Sequence, residues 1–182
     1  MRSIRSGFAR SAGSQLSPSR RDSPRRSRTT VSDPSDDQPI PDAEWRTIIE
    51  NIPLVSVDLV VRYDGGILLG KRENEPAKGE WFVPGGTVLK NERLTEAVHR
   101  VADEELGCTV EIVESLGVFE HFYDTSELSG IDSKHYVANG FVVRPTSEPT
   151  VSDDQHDGLR VVSEPYPELH RYVERYLQMI DG

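Results

Sequence analysis

The sequence has little of several things, and each scarcity excludes a class of protein. It contains one cysteine, Cys108, among 182 residues, so no internal disulfide can form, and this usage fits a reducing compartment. It has no apolar run that approaches the roughly 20 residues of a membrane-spanning helix. We therefore expect a cytoplasmic protein with no membrane partner.

Basic residues are scarce except at the start of the chain. Residues 1–28 carry eight arginines and one aspartate, a net charge of +7, whereas residues 29–182 carry 13 basic and 30 acidic residues, a net charge of −17. A body this acidic is unsuited to non-specific nucleic-acid binding. We expect no nucleic-acid partner for it.

The first 40 residues differ in composition from the rest. Residues 1–40 are rich in Arg, Ser and Pro and poor in apolar groups, which predicts a disordered N-terminal extension. Three interpretations stay open: an organelle transit peptide, a basic arm for an anionic surface or nucleic acid, or a start codon assigned too far upstream, with the protein beginning near Val31. The abrupt change in composition favours the last, and the folded domain is expected at residues 41–182.

Hydrophobic periodicity and turn residues predict strands and helices over that domain. Strands are expected at residues 54–62, 67–71, 80–83, 88–89, 109–122, 135–144 and 159–163, and helices at residues 42–51, 92–106 and from 167 onward. The Pro-Gly-Gly sequence at residues 84–86 is expected to be a turn. This order predicts the α/β class, with helices packed on a mixed sheet.

The helix predicted at residues 92–106 carries a carboxylate in an unusual place. At about 100° per residue, Glu105 falls within roughly 20° of Leu94, on the same stripe as Val98 and Val101. A charge that faces a core is costly unless it is paired or coordinates a metal. The alternative is that Glu105 only covers the packing at the end of a helix that Gly107 terminates.

The spacing of polar residues around this helix is specific. Gly86, Glu92, Arg100 and the pair Glu104-Glu105, followed by Gly107, resemble the Nudix box, G-x5-E-x7-R-E-U-x-E-E-x-G-U, the signature of diphosphate hydrolases, in which U is a bulky apolar residue. Arg100 and Glu104, four residues apart, are expected to pair.

Three positions depart from the Nudix box. Val101 replaces the first paired glutamate, which often ligates metal in Nudix pyrophosphatases, Ala102 is small for its position, and Cys108 fills the last one. The segments at residues 68–72, 76–86, 121–137 and 153–158 nevertheless resemble the GDP-mannose mannosyl hydrolase branch, which also lacks that glutamate. This resemblance covers residues 53–162 and implies the Nudix fold, an α/β/α sandwich with a mixed central sheet.

The resemblance implies a Mg²⁺ site, with Mn²⁺ as a substitute. A nucleotide diphosphate carries about three negative charges toward an acidic protein, and a divalent cation would cancel that repulsion. The implied ligands are oxygens, which Mg²⁺ prefers: the Gly85 carbonyl, Glu105 and the Gln155 side chain. Taken alone, Gln155 would be an ordinary surface amide.

The resemblance assigns catalytic roles to three further residues. His156 would be the general base, because imidazole accepts a proton near neutral pH. Arg72 would stabilise charge developing on the departing diphosphate. Asp58, which interrupts an apolar strand, would bind and orient the sugar. Without the resemblance, these residues would be a loop histidine, a surface arginine and a strand-edge hydrogen-bonding group.

Other polar and aromatic residues are expected to be structural. His121 and His135 lie on predicted strands and are expected to make structural hydrogen bonds, although either is an alternative general base. Tyr123 and Tyr136 are expected to pack in the core, although either could contact base or sugar. Thr87 stands where the branch has arginine, which leaves the contacts to the leaving group, and so the choice of nucleotide, open.

The implied function is Mg²⁺-dependent hydrolysis of a GDP-sugar to GDP and free mannose or glucose, by attack at the anomeric carbon with inversion. Two alternatives remain. A nucleoside-diphosphate pyrophosphatase would attack phosphorus, with Glu92 and Glu104 helping Glu105 to hold metal, and an inactive Nudix module would sense a nucleotide sugar. The resemblance also implies a homodimer, in which the apolar final helix would form the interface or else pack on its own sheet.

Overall fold

A mixed sheet with helices on both faces forms most of the described part of the chain, residues 40–150 and 158–180 of a computed structural model. This architecture confirms the predicted α/β class. The elements in chain order are α1 (Asp42–Asn51), β1 (Leu54–Tyr63), β2 (Gly66–Lys71), β3 (Trp81–Phe82), β4 (Gly85–Thr87), α2 (Leu94–Leu106), β5 (Val110–Tyr123), β6 (Lys134–Pro145), β7 (Leu159–Val162) and α3 (Arg171–Ile180).

Strand β1 lies at the centre of the sheet, whose order is β3-β2-β1-β6-β5. It runs parallel to β6 and antiparallel to β2, and β5 runs antiparallel to β6. The short strands β4 and β7 pair antiparallel with β1 and β2. Most of β1 is buried, as expected for a strand that is covered on both faces.

Two hydrophobic cores flank the sheet. On one face, α2 packs its side chains Val98, Val101 and Ala102 against β1 and β6. On the other face, α3 buries Val173 and Leu177. The final helix therefore packs on its own sheet, which is one of its two predicted uses. None of the helices within the described ranges has the length and apolar character needed to cross a bilayer.

Several predicted boundaries differ from the structure. Gly85 and Gly86 are not a turn but the start of β4, and they pair with Asp58 and Val57 of β1. Residues 88–89 lie outside β4, so the predicted strand there is wrong. Helices α2 and α3 begin two and four residues later than predicted, at Leu94 and Arg171. Local sequence did not reveal these ends because tertiary pairing overrides local preference.

Helix α1 is fastened to the loop that precedes β6. The Lys134 ammonium donates to both carboxylate oxygens of Glu127 at 2.8 Å, and the Trp45 indole donates to Glu127 Oε1 at 2.8 Å. The Lys134 ammonium also lies 5.3 Å from the Trp45 ring centre and 5.2 Å from that of Tyr136. These contacts hold Tyr136, and with it the start of β6, beside the cavity described next.

Candidate active site

Two adjoining cavities open where β4 pairs with β1. The smaller, about 180 Å³, is lined by Asp58 and Tyr136, and the larger, about 270 Å³, is lined by Glu105. Arg72 and Gly85 line both cavities. Four of the predicted site residues, taken from four separate stretches of sequence, therefore meet around Gly85.

Glu105 lies at the end of α2 and faces the larger cavity. The expectation that this carboxylate faces the core is wrong, because the side chain is exposed. It faces a cavity that Gly85 and the apolar residues Leu106 and Leu159 also line, so it borders open space and is not packed in the core. Partial burial raises the pKa of the Glu105 carboxyl and neighbouring Glu104 raises it further, whereas Arg72 opposes both effects.

The oxygen donors around the larger cavity fit a hard divalent cation. Glu105 offers a carboxylate, and Gly85 has no side chain to fill the space between them. Within residues 40–150 and 158–180, no three histidine, cysteine or acidic side chains are grouped so as to hold a metal. Carboxylate and carbonyl oxygens are the ligands that hard divalent cations prefer.

Arg100 forms hydrogen bonds with two acidic residues of the box, Glu92 and Glu104. The predicted pair with Glu104 is confirmed, with Nη1 donating to Oε2 at 2.8 Å. Arg100 also donates to both oxygens of Glu92, at 2.7 and 2.9 Å, and to the Thr87 carbonyl at 2.9 Å. These hydrogen bonds lower the pKa of Glu92. Arg100 thus ties α2 to β4 through the Thr87 carbonyl. Because Arg100 binds both of its oxygens, Glu92 is a poor candidate for a metal ligand.

Val101, which replaces a box glutamate, is buried against Gly86. A Cβ atom added to Gly86 would lie 2.8 Å from Val101 Cγ2, so a side chain at residue 86 would have no room. The valine at this position therefore packs α2 closely onto β4.

Arg72 follows β2 and is held at the junction of the two cavities. Its Nε donates to the Pro76 carbonyl at 2.6 Å, and its guanidinium carbon lies 5.4 Å from the centre of the Phe82 ring. Its backbone N–H donates to the Glu80 carbonyl at 2.9 Å. Since Nε is occupied, the terminal nitrogens are the donors left for an anion, and the arginine is pre-oriented for that task.

Asp58 is a buried carboxylate at the smaller cavity, with 6% of its surface exposed. The Tyr176 hydroxyl donates to its Oδ2 at 2.8 Å, and His121 Nδ1 lies 3.7 Å from the same oxygen. Burial raises the pKa of Asp58 to about 6, against the lowering effects of the Tyr176 hydrogen bond and of Arg72. The structure thus places a carboxylate that is costly to ionise beside open space.

The pKa of Asp58 predicts a pH-dependent effect of Asp58→Asn on stability. The pKa of Asp58 in the folded protein, about 6, exceeds its ordinary value of 3.8. The folded protein therefore binds more protons than the unfolded protein between these pH values. Above pH 6 the charged carboxylate destabilises the fold by about 3 kcal/mol. In chelator, we expect Asp58→Asn to be more stable than wild type at pH 8, with the difference shrinking as the pH falls toward 4. Urea unfolding of both proteins at several pH values measures the difference in their free energies of unfolding. A wild type that is more stable than Asp58→Asn at pH 8 would contradict the prediction.

Two tyrosines of α3, Tyr172 and Tyr176, were not predicted as part of the site; they contact His121 and Asp58, which line the smaller cavity. His121 is buried, and its ring stacks on that of Tyr172 with ring centres 3.9 Å apart. The Nε2 atom of His121 lies 3.3 Å from the Tyr176 hydroxyl oxygen. Burial lowers the pKa of His121 to about 4, so it is neutral at pH 7 and a weak general base. The i, i+4 spacing of Tyr172 and Tyr176 shows that they share a helix face, but no local signal links that face to residue 58.

Gln155 and His156 lie outside the described residues, so their predicted roles stay predictions. The description resumes at Gly158, whose carbonyl accepts a hydrogen bond from the Lys71 N–H at 2.8 Å, and Leu159 lines the larger cavity. His135, the other alternative base, stacks on Phe122 at 4.3 Å and does not line either cavity.

Comparison with known proteins identifies the family to which this site belongs. Residues 53–180 match the family model described as the NUDIX domain. The chain belongs to the Nudix family. This confirms the resemblance of the box and the Nudix α/β/α fold, and it identifies the chain as a Nudix hydrolase. Nudix hydrolases act on nucleotide-derived substrates and generally use divalent metal ions, which agrees with the oxygen donors at the larger cavity.

Similar proteins include two archaeal relatives and a bacterial structure. "Low-salt glycan biosynthesis protein Agl8" of Haloferax volcanii is 63% identical over 142 residues, 78% of this chain and 91% of that protein. "ADP-ribose pyrophosphatase" of Methanocaldococcus jannaschii is 43% identical over 67 residues, 37% of this chain and 40% of that protein. The MutT NUDIX hydrolase of Burkholderia pseudomallei aligns with TM-score 0.59 and 29% identity, covering 71% of this chain and 99% of that one.

Proposed function

We propose that this Nudix protein hydrolyses a GDP-sugar, GDP-mannose or GDP-glucose, to GDP and the free sugar in a Mg²⁺-dependent reaction. The observation that carries the proposal is the arrangement about Gly85, with Asp58 in the smaller cavity, Glu105 in the larger one, and Arg72 lining both. A nucleotide sugar joins a sugar directly to a diphosphate. The site likewise joins two cavities. The smaller offers a buried hydrogen-bond acceptor for a sugar, and the larger offers an arginine and an exposed carboxylate for a diphosphate and its cation.

The larger cavity would take the diphosphate. The Gly85 carbonyl, Glu105 and Gln155 would hold Mg²⁺, or Mn²⁺ in its place, and the bound cation supplies charge neutralisation that makes GDP a better leaving group. Arg72, oriented by Pro76 and Phe82, would donate to the same phosphates as negative charge develops. With valine at residue 101, the protein would place fewer negative charges on the cation, which would remain more electrophilic.

The smaller cavity would take the sugar. Asp58 would accept a hydrogen bond from a sugar hydroxyl and hold the ring in place. His156 would remove a proton from water as the water oxygen bonds to the anomeric carbon on one side, while the bond to the diphosphate oxygen breaks on the other. The electron pair of that bond leaves with GDP, and the sugar is released with inverted configuration.

The relatives bear on the substrate and its cellular setting. The Haloferax volcanii protein is named for glycan biosynthesis, and nucleotide sugars are the donors from which glycans are built. The single cysteine, Cys108, supports a cytoplasmic location for this chemistry. A homodimer is part of the proposal through the family resemblance, although α3 would not supply the interface by its buried face.

A nucleoside-diphosphate pyrophosphatase is the second candidate. The observation in its favour is the similarity to the ADP-ribose pyrophosphatase of Methanocaldococcus jannaschii, which covers 37% of this chain. Two observations disfavour it: both Glu92 oxygens are bound by Arg100, and Val101 removes another acidic side chain from the box.

Hydrolysis in ¹⁸O-water distinguishes the candidates. We expect GDP-mannose or GDP-glucose to be hydrolysed with Mg²⁺, with one ¹⁸O atom in the free sugar and none in GDP, because water attacks carbon. Mass spectrometry of both products measures the label, and a panel of nucleotide sugars ranks the substrates. Label in a phosphate would indicate the pyrophosphatase, and the absence of any turnover would indicate the inactive sensing module.

A further inference from the structure

Tyr176 of α3 extends through the core and contacts Asp58, which lines the smaller cavity. Its side chain is fully buried and lies over Gly140 of β6, where an added Cβ atom would come within 2.9 Å of Tyr176 Cε1. Its ring also meets the Phe119 ring edge-on, with centroids 4.6 Å apart. A glycine in the middle of a strand normally weakens it, and here the missing side chain gives the tyrosine ring its place.

The Tyr176 hydroxyl binds one oxygen of the Asp58 carboxylate and leaves the other without a donor from the described residues. It donates its one proton to Oδ2 at 2.8 Å, so His121 Nε2, at 3.3 Å, is placed to donate to the hydroxyl oxygen. The other oxygen, Oδ1, lies beside Gly85, 2.8 Å from where a Cβ atom would be. Among the residues that the structure describes, no group donates a hydrogen bond to Oδ1.

A carboxylate fixed by one oxygen presents the other in a defined direction. The side chain of an aspartate otherwise rotates broadly about its terminal bond, and a site must hold its polar groups to within a fraction of an ångström to use them for orientation. Asp58 lines the smaller cavity together with Arg72 and Gly85, so Oδ1 is the acceptor available to a molecule that enters there.

We propose that Tyr176 is a positioning residue for the sugar: by holding Asp58 Oδ2, it directs Oδ1 toward one hydroxyl of the hexose bound in the smaller cavity. The inference rests on the proposed function, since it requires a sugar in that cavity. It makes the C-terminal helix α3 part of the active site, although α3 is far in sequence from the Nudix box. Discrimination between sugars then depends on the Tyr176–Asp58 hydrogen bond, which the substrate does not contact.

The test compares Tyr176→Phe with Tyr63→Phe. Both variants remove one phenolic oxygen, but the Tyr63 hydroxyl bonds Glu148 at the far end of β1 and lines neither cavity of the site. We expect kcat/KM for GDP-mannose with Mg²⁺ to fall about tenfold in Tyr176→Phe, the low end of the range for a lost hydrogen bond to a charged group, and to change less than twofold in Tyr63→Phe. Circular dichroism and thermal unfolding establish that both variants are folded.

Monodeoxy analogues of GDP-mannose separate positioning from a general structural effect. For the analogue that lacks the contacted hydroxyl, we expect wild type and Tyr176→Phe to have the same kcat/KM, whereas the other analogues keep the tenfold difference. We also expect the double variant Asp58→Asn/Tyr176→Phe to be no slower than Asp58→Asn alone, because the two groups act through one contact. A structural effect would instead slow every substrate equally and multiply with Asp58→Asn.

The outcomes distinguish this inference from the proposed function. If wild-type protein hydrolyses no GDP-sugar at carbon, the proposed function fails and this inference fails with it. If wild type does so but Tyr176→Phe matches Tyr63→Phe, or loses the same factor with every analogue, the inference alone is overturned.

Discussion

Glu105→Gln is expected to slow turnover of GDP-mannose by about 10²-fold or more and to raise the Mg²⁺ concentration needed for half-maximal rate. Glutamine keeps the size of the side chain but removes the charge that a hard cation requires. Glu105 is the exposed carboxylate of α2 that faces the larger cavity together with Arg72. Steady-state kinetics over a range of Mg²⁺ concentrations measures both effects.

Two neighbouring variants serve as controls for Glu105→Gln. Asp103→Asn alters an exposed acid of the same helix that lines neither cavity, and we expect it to change the rate and the Mg²⁺ requirement less than twofold. Glu104→Gln weakens the ion pair with Arg100. We expect it to lower the rate a few-fold without changing the Mg²⁺ requirement. An equal shift in Glu104→Gln would instead favour a pyrophosphatase with several acidic metal ligands, and full activity of Glu105→Gln would refute the proposed metal site.

His156→Ala is expected to lower kcat by about 10²- to 10⁴-fold, the range that a general base contributes. The reason is that water must lose a proton as it attacks the anomeric carbon, and imidazole accepts one near neutral pH. KM for GDP-mannose should change little, because the base need not bind the sugar or the diphosphate. Stopped assays with product identification by chromatography measure kcat and KM separately.

A matched histidine variant and a pH profile complete this test. His99→Ala removes an exposed histidine on the solvent side of α2 and should leave kcat unchanged. We expect the wild-type rate to fall at acid pH as His156 and Asp58 are protonated. His156→Ala should lose the part due to the imidazole and keep only the part due to Asp58, whose pKa burial raises to about 6. If His156→Ala keeps the wild-type rate, the base lies elsewhere; His121 would be a poor substitute, because burial lowers its pKa to about 4.

The elements and contacts that local sequence predicts are those made by residues close together in the chain. The Arg100–Glu104 pair follows from helical spacing and is present at 2.8 Å. Gly107 ends α2 at a φ of 57°, in the left-handed region that favours glycine. The turn at Asp64-Gly65 joins β1 to β2 with positive φ at both residues, as a tight hairpin requires. Each depends on the conformation of a few consecutive residues.

Predictions failed where distant residues decide the environment. Glu105 was expected among apolar groups because its helical angle places it on the apolar stripe, yet its side chain is exposed. Helical periodicity gives a direction but does not show whether that direction meets side chains or open space. Likewise, Gly85 and Gly86 suggested a turn, but pairing with β1 makes them a strand.

The sequence by itself determined the α/β class, the Nudix family and the residue types available for chemistry at Asp58, Arg72, Gly85 and Glu105, because spacing along one chain encodes them. Only the tertiary structure decided which groups meet. The contact between Tyr176 and Asp58 joins residues 118 positions apart, and the raised pKa of Asp58 arises from burial by the whole domain. Burial and distance depend on how the sheet and helices pack, and those quantities exist only after the chain has folded.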